Sequence, residues 1–166
     1  MEPIKFRDAT EADLSKIVEI YNSTVASRMS TADTEPVSVE SRKRWFYEHG
    51  HTRPLWIAED GNHNVVGWIS FQSFYGRPAY NATVEISIYI DANHRGKGLG
   101  KKLLEHCIAA APSLQIKTLV GFIFAHNEPS LRLFKNFGFE EWGNLPNIAV
   151  LDNQERGVKI LGKRVG

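Results

Sequence analysis

The sequence has a single cysteine, Cys107, so no disulfide can close within the chain and a bridged framework is excluded as its source of stability. No apolar run approaches the roughly 18–20 residues that a membrane-spanning helix needs. The opening residues, MEPIKFRDAT, carry no apolar core of the signal-peptide kind. Net charge is nearly absent: 20 Lys and Arg face 19 Asp and Glu, +1 overall, which argues against a generally basic surface. Neither nucleic acid nor membrane is therefore an expected partner. Internal repeats and low-complexity linkers are missing. The six histidines are scattered, and no spacing matches a zinc site, so no metal is expected. What is present is 166 residues, 42% hydrophobic and 23% charged. That suffices for one packed domain spanning 1–166, and the cysteine usage points to a reducing, cytoplasmic compartment.

Patterning predicts an alternation of strands and helices. Ile4 and Phe6 mark a short strand at 4–7. Thr10 and Asp13 resemble a capping box, after which Leu14, Ile17, Val18, Tyr21 and Val25 recur at helical spacing over about 11–26. Residues 27–37 read as a loop and Ser38 to His49 as a second helix. Strands follow at 55–59 and 65–74, and Gly76-Arg77-Pro78 breaks the latter. From Thr83 to Ile90 the alternation is strict, with Val84, Ile86, Ile88 and Ile90 on one face and Thr83, Glu85, Ser87 and Tyr89 on the other. A helix ending near Ala111, a strand at 119–124, a short helix at 129–137 closed by Gly138, and a hairpin of 148–152 with 158–162 complete the chain. The order β-α-α-β-β-β-α-β-α-β-β predicts an α+β, three-layer fold with a mixed central sheet flanked by helices.

Between the alternating strand and its helix lies Arg95-Gly96-Lys97-Gly98-Leu99-Gly100, with Lys101 and Lys102 following. A strand running through glycines into a helix start aims several N–H groups and the positive helix end at one place, which is a site for a phosphate or pyrophosphate. A glycine-rich turn with a solvated cationic helix start accounts for the same residues. The segment is not a P-loop, whose pattern is G-x-x-x-x-G-K-S/T. It is also a poor dinucleotide fingerprint: Lys101 stands where glycine or alanine is needed, and the next strand ends FIFAHN with no acid for a ribose.

The same six residues resemble the Arg/Gln-x-x-Gly-x-Gly/Ala loop of the GNAT acetyltransferases. NEPSLRLFKNFGF, Asn127 to Phe139, resembles that family's second cofactor segment. FYGRPAYNATVEISIYID, Phe74 to Asp91, and TADTEPVS near residue 31 are similar to the phosphinothricin and methionine sulfoximine acetyltransferase subfamily. The resemblance implies the GNAT fold and transfer of acetyl from acetyl-CoA to the primary amine of a small amino-acid-like molecule, by direct attack in a ternary complex. It also implies a homodimer.

Carried over residue by residue, the resemblance gives Glu85 the role of catalytic base. A mid-strand glutamate costs desolvation unless it has a use; a structural ion pair with Arg77 is the competing reading. The implied cofactor contacts are backbone groups of Ile88, Tyr89 and Ile90 where the fourth and fifth strands part beside a bulge, then Arg95, Gly96, Lys97, Gly98, Leu99 and Gly100, then Asn127 and Ser130. Asn127 also fits as a helix cap. Arg77 and Tyr80, with Tyr75 and Glu35, are the implied acceptor contacts. Phe134 departs from the family, which carries a tyrosine or histidine there as proton donor to the departing thiolate; Tyr89 is one substitute. Cys107 reads as packing. Three alternatives stay open: a protein or peptide N-acetyltransferase, a CoA-binding sensor without catalysis, and an NAD-binding module.

Overall fold

The computed structural model describes residues 3–166. Its strands and α-helices are β1 (Lys5–Asp8), α1 (Leu14–Val25), α2 (Lys43–Tyr47), β2 (Leu55–Glu59), β3 (Val65–Ser73), β4 (Thr83–Ile90), α3 (Leu99–Ala110), β5 (Thr118–Phe124), α4 (Glu128–Asn136), β6 (Glu140–Leu151) and β7 (Gln154–Arg164). The strands form one sheet in the order β1-β2-β3-β4-β5-β7-β6. Among the described residues only β4 and β5 run parallel, which makes the sheet mixed, as the element order predicts.

Both ends of α1 follow from local chemistry. Thr10 and Asp13 form the expected capping box around a single 3₁₀ turn, Glu11–Asp13. Arg7 grips Asp13 with two bonds of 2.8 and 2.9 Å, which holds the Asp13 carboxyl below its ordinary pKa and fastens the helix start to β1. The buried face of α1, including Ile17 and Ile20, packs with Leu55, Ile57 and Trp68 on one side of the sheet. On the other side α3 and α4 contribute Leu103, Leu104, Cys107, Leu131 and Phe134 to a second core with Ile69, Phe71, Val84 and Ile86. Cys107 is fully buried and burial pushes its thiol far above the ordinary range, in keeping with a packing role.

Two elements differ from the sequence expectation. The helix expected over 38–49 is a 3₁₀ turn, Glu40–Arg42, running into the short α2. The hairpin expected from 148 is much longer, because β6 begins at Glu140. Its register shifts between Glu141 and Gly143 and again between Leu145 and Ala149, and Pro146 lies inside the second irregularity. A strand carrying Gly, Pro and two bulges shows no clean alternation, and it exists because it is the sheet's edge, where a missing N–H is tolerated.

Candidate active site

The parallel pair β4–β5 holds together for only three register pairs, Thr83↔Thr118, Val84↔Leu119 and Glu85↔Val120. Beyond Glu85 the strands part. A cavity of about 450 Å³ fills the opening. Glu85, Ser87, Ile88 and Tyr89 line one side of it, Gly121 to Phe124 the other, and Asn127, Ser130 and Phe134 the α4 side. The expected splay is present, but not the bulge: β3 and β4 stay in unbroken register from Gly67↔Ile90 to Ser73↔Val84. The splay comes from β5, which leaves β4 while remaining paired with β7 from Thr118 to Phe124.

Peptide alternation decides which backbone groups face the gap. Asp91 donates its N–H to Val66 in β3 at 2.9 Å, whereas the Ala82 carbonyl accepts from Lys117 and Thr118 on the β5 side. Odd-numbered residues of β4 therefore spend their backbone groups on β3, and even-numbered ones turn them toward β5. Among the described residues Ile88 and Ile90 have no strand partner on that side and turn their N–H and C=O groups to the opening. Tyr89 is the exception among the three expected contacts, since it pairs with Trp68 in β3. Its side chain instead reaches the wall of the cleft, donates to the Ser30 carbonyl at 3.2 Å, and has its phenol pKa raised by burial. With that proton engaged, Tyr89 is poorly placed as the substitute thiol donor.

Glu85 sits where the strands divide, half-buried, and burial raises its carboxyl above the ordinary 4.5. Among the described residues it makes no ion pair, so the competing reading of an Arg77 partner finds no contact. A carboxylate desolvated and unpaired at a cleft has the character of a base.

The glycine loop follows β4 directly. Asp91, buried, accepts a bond from His94 Nδ1 at 3.0 Å and starts a 3₁₀ turn, Ala92–His94, that carries the chain past the mouth of the split. Gly96 and Gly98 have φ of +78° and +74°, and Gly98 is the left-handed residue preceding α3. A Cβ on Gly96 would meet nothing within 4 Å, so the backbone is open to a ligand. Arg95 and Lys97 are exposed beside it, whereas Leu99 is buried as the first core residue of α3. Gly100 serves another purpose than expected: a Cβ there would lie 2.9 Å from Leu133, so it allows α3 to approach α4 rather than a ligand to approach the loop. An open Gly96, a left-handed Gly98, two cations and a helix start fit a pyrophosphate, and the splayed strands fit an extended chain leading from it.

Asn127 performs the capping role: its Oδ1 accepts from Ser130 N–H at 3.3 Å, while its Nδ2 donates to the Met29 carbonyl at 3.0 Å. His126 Nε2 donates to the Arg28 carbonyl at 2.8 Å, and Arg28 pairs with Asp152 at 3.0 Å. The α1–α2 loop is thereby strapped across the cleft, with Met29 to Ala32 lining it. Ser130 and Phe134 face the cavity, and Phe134 offers no proton there.

Tyr75, Arg77 and Tyr80 lie on the exposed turn that enters β4, their direction set by left-handed Tyr75 and Gly76. They do not line the cleft with Glu85; Tyr75 and Tyr80 pack on Phe74 instead. Glu35 is exposed in the α1–α2 loop. Sequence reasoning missed a second cavity of about 160 Å³ beside the first, lined by Tyr21, Val37, Arg42, Trp45, Trp68, Gln72, Ser87 and Tyr89 among others. The only signal for it was the polar face of β4, which carries Ser87 and Tyr89 two and four residues beyond Glu85.

Residues 17–139 match the family described as Acetyltransferase (GNAT) family. The chain is 56% identical to the "Putative phosphinothricin acetyltransferase YwnH" of Bacillus subtilis, over 96% of this chain and 98% of that protein. It is 33% identical to the L-methionine sulfoximine/L-methionine sulfone acetyltransferase of Pseudomonas aeruginosa, over 86% and 83%. A GNAT superfamily phosphinothricin acetyltransferase from Sinorhizobium meliloti, solved in complex with AcCoA, superposes with TM-score 0.90 at 29% identity, covering 98% of this chain and 89% of that one.

Proposed function

The chain belongs to the acetyltransferase (GNAT) family, and from that premise we propose that it acetylates the primary amine of a small amino-acid-like molecule of the phosphinothricin, methionine sulfoximine or methionine sulfone type. The observation that carries this reading is Glu85, desolvated and unpaired at the point where β4 and β5 separate. Acetyl-CoA supplies the acyl group, already activated as a thioester. The chain's own residues do the rest. Gly96, Gly98, Arg95 and Lys97 hold the diphosphate at the start of α3, and the backbone groups of Ile88 and Ile90 bind the extended arm and polarise the thioester carbonyl. Glu85 takes a proton from the acceptor ammonium, directly or through one water, which contributes typically about 10²–10⁴-fold. Phe134 leaves the thiolate without a donor at its position; a thiol pKa near 8.5 makes unassisted departure tolerable.

Arg77, exposed and without an ion pair among the described residues, lies outside the cleft with Tyr80 on the turn that enters β4, so its proposed part in holding the acceptor's anionic end is carried by the family resemblance rather than by the cleft's geometry. The relatives named for phosphinothricin and methionine sulfoximine favour this acceptor class. Among the described residues no helix is long and apolar enough to cross a membrane.

The test is thiol release from acetyl-CoA with phosphinothricin, methionine sulfone and methionine sulfoximine as acceptors. Turnover with at least one of them, lost in Glu85→Gln while acetyl-CoA still binds by calorimetry, is the expected result. Equal rates in the variant would remove Glu85 from its role. Binding of acetyl-CoA without turnover for any amine would make the protein a CoA-binding sensor.

A further inference from the structure

We infer that His49 receives, through Ser87 and Ser70, the proton that Glu85 takes from the acceptor, and so serves the catalytic base as a relay from behind. The inference rests on the acyl-transfer reading and adds to it the route by which the proton leaves Glu85. Three features of the fold carry it. His49 Nε2 lies 2.6 Å from the Ser70 hydroxyl, and Ser70 is only 1% exposed. Ser70 is the direct cross-strand partner of Ser87, which puts their Cβ atoms about 4.5–5.5 Å apart, within the reach of two hydroxyls. Ser87 stands two residues beyond Glu85 on the same face of β4, about 6–7 Å along the strand. One water spans such a gap, and both side chains line the cleft. The polar line Glu85, Ser87, Ser70, His49 thus crosses from β4 to β3 and ends at a ring bordering two surface cavities of about 460 and 210 Å³.

The direction of the line is set at His49. Its Nδ1 lies 2.9 Å from the Trp45 carbonyl and 3.3 Å from that of Phe46. A carbonyl only accepts, so Nδ1 carries the hydrogen and Nε2 presents a lone pair to Ser70. Ser70 then donates to His49 and keeps its oxygen open toward Ser87. Every link accepts from the side of Glu85 and donates away from it. When the acceptor ammonium gives a proton to the Glu85 carboxylate, its nitrogen keeps the electron pair that forms the N–C bond as the C–S bond breaks. The proton passes from Glu85 through the bridging water, each hydroxyl accepts one hydrogen and releases another, and His49 Nε2 becomes N–H. The imidazolium so formed loses no partner, because Nδ1–H stays on Trp45 and Nε2–H donates to Ser70. The two ends are also matched: burial pushes Glu85 up from 4.5 and His49 down from 6.5, so the proton moves between groups of similar affinity. The titratable groups around the ring are Glu48 and Arg53 on one cavity and Asp8, Tyr47 and His51 on the other. Of these, Glu48 favours the imidazolium. Through the two cavities the ring returns the proton to solvent.

The experiment has two arms. Nitrogen-15 NMR of the wild type reads the His49 tautomer. The expected state near pH 8 is Nδ1–H with a bare Nε2, titrating to the imidazolium below the ordinary 6.5. An Nε2–H tautomer overturns the inference, because Ser70 would then accept where the relay needs it to donate. The second arm is Ser70→Ala, assayed by thiol release with the best of the three acceptors named above. The expected kcat is lower by about 10-fold, with the KM of acetyl-CoA unchanged. Ser70→Thr is expected to keep the wild-type rate, and imidazole buffer to restore the rate of Ser70→Ala while leaving the wild type unaffected. A merely structural tie between α2 and β3 does not respond to a diffusible base. An unchanged kcat, or a loss that imidazole does not relieve, overturns the relay and leaves acetyl transfer and Glu85 standing. The tautomer decides the matter if Ser70→Ala does not fold. Acetyl-CoA binding with no amine acetylated removes the acyl-transfer reading and the relay with it.

Discussion

Glu85 is under two opposed demands. As a base it must be ionised, and as a residue of a half-buried strand it is penalised for being so; burial accordingly raises its pKa. Two predictions follow from that sign. The acid limb of kcat/KM should rise above the ordinary carboxylate value of 4.5, whereas a fully solvated base would titrate there. Because the folded pKa lies above the unfolded one, the cost to stability is absent below the unfolded value and is fully present above the folded value. Glu85→Gln should therefore raise the melting temperature near pH 8 and change it little near pH 4, while kcat/KM falls about 10²–10⁴-fold. Thermal melts at the two pH values check the first effect and thiol release the second. A variant less stable at pH 8 would mean that Glu85 has a partner in the fold. At the same scale, Arg77→Ala should raise the acceptor KM by about 10-fold or more with kcat nearly unchanged, the signature of lost binding to an anionic group. Unchanged KM would take Arg77 out of recognition.

Among the elements, the loop joining β4 to α3 was the most legible in the sequence. Left-handed backbone at Gly96 and Gly98 and a helix start beside cations are written directly in residue type. Gly98→Ala should strain a φ of +74° by roughly 1–2 kcal/mol. If that strain falls on the binding-competent loop, acetyl-CoA affinity drops about 10-fold, which calorimetry would register; unchanged affinity would mean that the loop does not hold the diphosphate. The strap over the cleft was less legible, because Asn127 and His126 reach carbonyls nearly a hundred positions away, and no local pattern encodes such a pairing. Asn127→Ala should cost about 0.5–2 kcal/mol through the cap alone, seen as a lower denaturant midpoint. The aromatic cavity was not legible either. Trp45, Trp68 and Tyr21 each look like core when read along their own helix or strand, and only packing α1 and α2 on the sheet leaves a space between them. Nor was the first half of β6, whose bulges and Pro146 hide its period. Periodicity reports an element that packs regularly on its neighbours, and it is silent where function or an exposed edge has displaced that regularity.

For the whole molecule the unresolved demand is the edge of the sheet. Among the described residues β6 has β7 on one side and no strand on the other, and Trp142, Leu145, Ile148 and Val150 along it are 45%, 37%, 58% and 62% exposed, with Phe122 of β5 at 41%. A long edge carrying this much apolar surface invites association. The bulges and Pro146 blunt simple strand addition, so side-chain packing is the available mode. We propose that a second copy of the chain covers this face, the homodimer that the family resemblance implies. Light scattering should then give twice the chain mass of 18.8 kDa at micromolar concentration, and Ile148→Glu with Val150→Glu should weaken self-association by 100-fold or more. The face is continuous with the cleft, since Ile148 and Phe122 also line it. Specific activity of the wild type should therefore fall on dilution through the dimer dissociation constant, as the outer wall of the cleft becomes wet. A wild type that stays monomeric at high micromolar concentration, with specific activity independent of dilution, would show that the exposed face of β6 has no part in assembly.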